Sequence, residues 1–141
     1  MPADASRMRA LQPPDAKAWN ARGAWFWRAH DANAGPHQLD LGPRATALLH
    51  ELEAVFCAGA WAAVVILAWT IVEAEIRALE RAKRVVAETP DIDWLRERRN
   101  RLAHVAMGEE SGETFDDRTL EAAAQGAIRV VFKTLFAAAW R

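Results

Sequence analysis

A chain of 141 residues with 52% apolar side chains is long enough to bury a core without metal or disulfide staples. Its formal charge of -1 excludes nucleic-acid binding by bulk attraction, so any phosphate contact has to come from a local cluster. The single cysteine, Cys57, excludes an intramolecular disulfide and fits a reducing cytoplasm.

Residues Met1 to Pro14 read as a mobile tail without the apolar stretch of a secretory signal. Pro13-Pro14 stops it, and Asp15 can cap a helix that begins at Ala16. Ala16 to His30 is predicted to be that helix. Its Trp19, Trp25, Phe26 and Trp27 spread large apolar area over more than one face, so it should pack on the main body or on a partner. Asp31 to Gly42, with Gly35-Pro36 inside it, reads as a loop.

Pro43 opens a second helix with Leu48, Leu49, Leu52, Val55 and Phe56 at helical spacing, and a break is expected near Ala58-Gly59. Trp61 to Ala87 resumes as a third helix, apolar almost all round at first and amphipathic from Glu73, the profile of a centrally placed helix. The uncharged run Ala54–Val72 has membrane-like hydropathy. Gly59 interrupts it and no Lys or Arg cluster sets an orientation, so no membrane association is expected.

Thr89-Pro90-Asp91 combines a hydroxyl cap, a proline at the first position and an acid in the first turn, and starts a fourth helix running to about Met107. Gly108 to Gly112 is a loop, and Thr114 with Asp117 resembles a capping box for a last helix ending near Trp140. Leu120, Ala124, Ala127, Val131 and Leu135 form its buried stripe. Strand signals are absent. The expected architecture is all-α: an antiparallel four-helix bundle over 43–141, with residues 1–42 forming a tail and an additional tryptophan-rich helix.

Chemistry concentrates on the fourth helix. Arg96, Arg98, Arg99 and Arg101 face only Glu97 between Trp94 and His104, which makes a phosphate or RNA surface. Ile92, Leu95, Arg99, Leu102 and Ala106 alternate in steps of three and four, so Arg99 occupies a seam position where an apolar residue is expected. Glu73 likewise interrupts an apolar stripe with Trp69 and Ile76. Charges on such seams are usually paired, so Glu73 and Arg99 are expected to meet. The alternative is that Arg99 carries its head to solvent along an apolar stem while Glu73 lies at a surface edge.

Asn100 and His104 share a helix face, and Arg99 is displaced by about 140° from His104, a gap that its long side chain can span. A fixed cation beside a group titrating near neutral pH suits phosphodiester cleavage. His30, His37 and His50 have no chelating partners at metal-ligand spacing, and no P-loop, dinucleotide motif or catalytic triad is present, so no metal or cofactor is expected.

The run Arg99-Asn100-x-x-x-His104 resembles the signature of HEPN domains, the higher eukaryote and prokaryote nucleotide-binding superfamily: an Arg, four to six residues and a His, often with a polar residue after the Arg. The stretch Glu53 to Ala63, with its Gly59 turn, followed by Ile71-Val72-Glu73-Ala74-Glu75-Ile76-Arg77, is similar to the first two helices of that family. The resemblance covers Pro43 to Trp140 and leaves the tryptophan-rich N-terminus outside.

It implies a homodimeric, metal-independent endoribonuclease of toxin or defence type. Its catalytic residues would be Arg99, Asn100 and His104, supported by Glu73, and an antitoxin protein is a possible partner. It also admits a non-catalytic domain that binds nucleotide, RNA or protein, and a third reading is an interaction module built on the N-terminal tryptophans. In members silenced by a nucleotidyltransferase partner, a Tyr two residues beyond the His is adenylylated. That position here is Ala106, and the chain has no tyrosine, so silencing of that kind is not implied.

Overall fold

The computed structural model describes residues 13–35, 41, 43–83, 89–105 and 117–139, and these contain five α-helices and no strand. They are α1 (Ala16–Ala34), α2 (Pro43–Cys57), α3 (Trp61–Arg81), α4 (Pro90–Val105) and α5 (Asp117–Ala139). The all-α class is as expected. The first twelve residues of the predicted tail, the loop Gly108–Gly112, Thr114 and the predicted helix ends at Ala87, Met107 and Trp140 lie outside the described residues.

Local chemistry accounts for two of the helix starts. Asp15 accepts a hydrogen bond from the Ala18 amide at 2.7 Å, which satisfies one of the amides that a helix start leaves without an intrahelical partner. Thr89 does the same for α4, its hydroxyl accepting from the Ile92 amide at 3.3 Å. The break between α2 and α3 falls at Ala58–Ala60, where Gly59 takes φ +76°, a conformation that costs an L side chain but not glycine. The Arg22 guanidinium fills the space beside it and donates to the Cys57 carbonyl at 3.1 Å.

Two helix ends differ from expectation. Helix α1 continues through Asp31–Ala34, because nothing in that stretch opposes helix until Gly35, which turns the chain at φ +55°. Helix α3 ends at Arg81 rather than Ala87, with Lys83 in a left-handed conformation at φ +54° and its amide bonded to the Glu80 carbonyl at 2.9 Å. A non-glycine terminator of this kind leaves little trace in the sequence.

The helices pack around one core. Helices α3 and α5 form its most extensive contact; α2 packs on α3, α1 packs on both α5 and α2, and α4 rests mainly on α3. The stripe expected on α5 is buried, with Ala124, Ala127 and Val131 fully enclosed and Leu120 partly so. Helix α1 belongs to the same core through Phe26, which is fully buried and meets Phe132 edge to face at 5.2 Å. Trp19 and Trp27 remain exposed. Burying side chains of this size stabilises by about 1.5–3 kcal/mol each, so α1 is held by the body of the protein. No described helix is long and apolar enough to cross a membrane.

Candidate functional site

Helix α4 carries the proposed chemistry, and its seam is built as the spacing predicts. Ile92 and Leu95 are buried and Leu102 is partly buried; Ala106 lies outside the described residues. Arg99 falls between Leu95 and Leu102 and is half-buried. Its guanidinium carbon lies 5.7 Å from the centroid of the Trp69 ring on α3, within the range of a cation–π contact. Arg96, one turn earlier, lies over the same ring at 5.3 Å and donates to Asp93 at 3.1 Å.

The expected pairing of Glu73 with Arg99 is not formed. Glu73 accepts from Arg77, four residues along its own helix, at 3.1 Å, and lines a groove with Arg44, Leu48, Arg81 and Leu135. Trp69, one turn before Glu73, occupies the place opposite Arg99. The physical reason lies in solvation. The pair within α3 leaves the Glu73 side chain 40% exposed, whereas a carboxylate held in the seam against Arg99 would lose its water.

Two polar atoms are left unpaired by this arrangement. Trp69 Nε1 and Arg99 Nε are both buried without a hydrogen-bond partner, and they belong to residues that touch each other. A buried donor left unpaired costs about 1–3 kcal/mol, so a well-packed seam would not retain this Arg for stability. The guanidinium thus carries a charge that no carboxylate neutralises among the described residues. Its stem is fixed in the seam, and only Nε among its nitrogens is fully enclosed without a partner.

The basic cluster divides between two sides of α4. Arg96 and Arg99 lie over Trp69 on α3, whereas Arg98 lies over Trp94 of its own helix at 5.8 Å. Arg101 is exposed, and Asn100 is half-buried. His104 lies in the last turn of α4, one turn beyond Asn100; its ring is outside what the structure describes. The sequence reading missed Trp69 as the partner of Arg99. Its presence in the stripe with Glu73 was the available signal, but the choice between residues one turn apart depends on the stagger of the two helices.

The remaining reactive groups have structural surroundings. His30 Nδ1 is 2.9 Å from Asp31 Oδ1, and its ring meets Phe132 and Phe136 edge to face. Cys57 is buried, and that burial pushes its thiol above the ordinary range, with the Glu53 charge adding and Arg22 opposing. Among the described residues no three His, Cys, Asp or Glu side chains gather as a metal-ion set. Comparison of the chain with family models, with curated proteins and with solved structures found no match.

Proposed function

We propose that the chain is a metal-independent endoribonuclease of HEPN type, with α2–α5 as the four-helix unit, α1 as an addition to it, and two copies of α4 lining one cleft. The observation that supports this most is the state of Arg99: a cation held at a seam position over Trp69, without a carboxylate among the described residues to neutralise it, on the same helix as His104. A cation kept at such cost is suited to an anionic ligand, and guanidinium forms paired hydrogen bonds with phosphate oxygens.

In this mechanism Arg99 binds the scissile phosphate and stabilises the charge that grows on its oxygens. Asn100 orients the phosphate or the adjoining sugar. One neutral His104 takes the proton of the ribose 2′-hydroxyl as its oxygen bonds to phosphorus. A protonated His104 of the second copy gives a proton to the 5′-oxygen as the phosphorus–oxygen bond breaks. The products are a 2′,3′-cyclic phosphate and a free 5′-hydroxyl, and the two imidazoles have exchanged protonation states. A single His cannot be base and acid at once, which is why the reading needs a dimer. Glu73, bonded to Arg77, has no direct part in it.

The test incubates purified protein with RNA in the presence of a chelator, beside His104→Ala and Arg99→Ala. Cutting by the wild type alone is the expected result. Intact RNA with the wild type, or equal cutting by the variants, would refute the catalytic reading. RNA binding without cutting would favour the non-catalytic member of the same family.

A further inference from the structure

A second feature lies on the other side of α4 from Trp69. Helices α1 and α4 both pack on α5, and an open groove of about 660 Å³ runs between them with α5 as its floor. Small residues make the room. Ala29 and Ala32 line the α1 wall, and Gly126 lies on the floor. A Cβ at position 126 would come within 2.7 Å of Trp94 Cη2, so glycine is what allows the Trp94 indole to lie against α5.

The polar groups in this groove are specific in kind. Arg129 on the floor lies over Trp25 at 5.1 Å and has no carboxylate partner among the described residues. Lys133, one turn along, is bonded to Asp91 at 2.6 Å, and the two charges offset each other. Asn33 donates to the Ala29 carbonyl at 2.9 Å, which orients its amide and leaves Oδ1 and one N–H for another group. Trp94 supplies an aromatic surface, with the Arg98 guanidinium over its ring at 5.8 Å.

We propose that this groove binds one nucleotide unit of single-stranded RNA, its base against Trp94, its base edge read by Asn33 and its phosphate on Arg129. Each element answers one part of that ligand. An aromatic face stacks any base, an uncompensated guanidinium suits a phosphate, and an oriented amide offers a donor and an acceptor to a base edge. The groove's size falls in the range of small-ligand sites. Its charge is net positive on a protein whose total is -1, so attraction is concentrated there.

The inference rests on the RNA reading for the identity of its ligand and extends it. Trp94, Arg98 and Arg101 are spaced by four and three residues and therefore lie along one side of α4. From Trp94 to His104 the helix rises about 15 Å, so a strand seated in the groove can follow that side towards the His104 end of α4 and cross the helix to meet Arg99 on the Trp69 side. The groove then sets which nucleotide neighbours the cleavage point, a task for which the motif itself has no base-reading aromatic group.

The test uses the full chain and a short, fluorescently labelled oligoribonucleotide with 2′-O-methyl sugars, which cannot be cut by 2′-hydroxyl attack, and reads binding by anisotropy. Arg129→Gln is expected to weaken binding about tenfold and to lower the salt dependence by about one phosphate contact. Arg44→Gln makes the same charge change in the groove between α2 and α3 and should leave binding within about twofold of wild type. Trp94→Phe keeps a ring and retains binding, whereas Trp94→Leu, with its helical circular dichroism unchanged, loses it.

Equal binding by wild type, Arg129→Gln and Trp94→Leu would overturn the proposal, as would equal weakening by Arg44→Gln. A free mononucleotide that binds the groove as tightly as the oligonucleotide would overturn the strand as its ligand. The two readings fail separately. If the wild type cuts RNA and the groove variants bind it normally, the groove falls and the nuclease stands; if binding depends on Arg129 and Trp94 but RNA stays intact, the nuclease falls and the groove stands.

Discussion

Replacing Arg99 by Met separates a cation kept for function from one kept for structure. Met reproduces much of the unbranched stem in the seam and removes the buried Nε that has no partner. Removing that unpaired donor should gain about 1–3 kcal/mol. Against this stands the lost contact with Trp69 at 5.7 Å, a cation–π interaction of about 0.5–2 kcal/mol. Arg96 remains over the same ring at 5.3 Å and limits that loss. The centres of the two ranges leave about 0.8 kcal/mol in favour of the variant, between limits of about 1 kcal/mol against it and about 2.5 kcal/mol for it, and the central value corresponds to a rise in Tm of about 3 °C. Urea and thermal unfolding followed by circular dichroism would measure it, with RNA cleavage assayed on the same samples. Stability held or raised while cleavage is lost is the expected pair of results. Destabilisation by more than about 2 kcal/mol would show that Arg99 holds the seam together and would refute the reasoning.

Other positions give independent checks. Gly59→Ala must place a side chain at φ +76° and 3.0 Å from the Arg22 guanidinium, so urea unfolding should show a loss of about 1–3 kcal/mol. Gly126→Ala gains about 1 kcal/mol of helix propensity but displaces the Trp94 ring, and the net effect should be a modest loss of stability with a shift in tryptophan emission. The Cys57 thiol should be inert to a thiol reagent in the native protein and react fully in denaturant. Because burial raises its folded-state pKa above the ordinary thiol range, the folded chain keeps a proton that the unfolded chain has lost, so its contribution makes stability fall as pH rises through the alkaline window between the two. Replacing Cys57 by Ala should flatten that part of the curve.

Helix starts were legible because they are local. The Asp15 cap, the Thr89-Pro90-Asp91 start and the Gly59 break each depend on side chains within a turn of the boundary, and all three are where the residues predict. Seam positions were legible for the same reason, since Ile92, Leu95, Ala124 and Val131 follow from helical periodicity alone. The end of α3 was not, because the left-handed Lys83 is stabilised by backbone geometry that many residues can adopt at some cost.

The candidate site shows the same division. That Arg99 is anomalous on its seam could be read from one helix. That it meets Trp69 rather than Glu73 depends on how α3 and α4 are staggered, and a shift of one turn exchanges an indole for a carboxylate. The split of the basic cluster is also a tertiary fact: Arg96 and Arg99 lie over Trp69 and Arg98 over Trp94 once the helix is seated. The groove beside Trp94 depends on Gly126 and Arg129, both more than a helix away along the chain.

The central claim is that Arg99 and His104 cut RNA by using its own 2′-hydroxyl. The most direct measurement compares an oligoribonucleotide with one of identical sequence carrying a single 2′-deoxy sugar at the mapped cleavage site, both with purified wild-type protein and a chelator. The account predicts cutting of the first to a 2′,3′-cyclic phosphate end and none of the second at that site. Equal cutting of the two would contradict it.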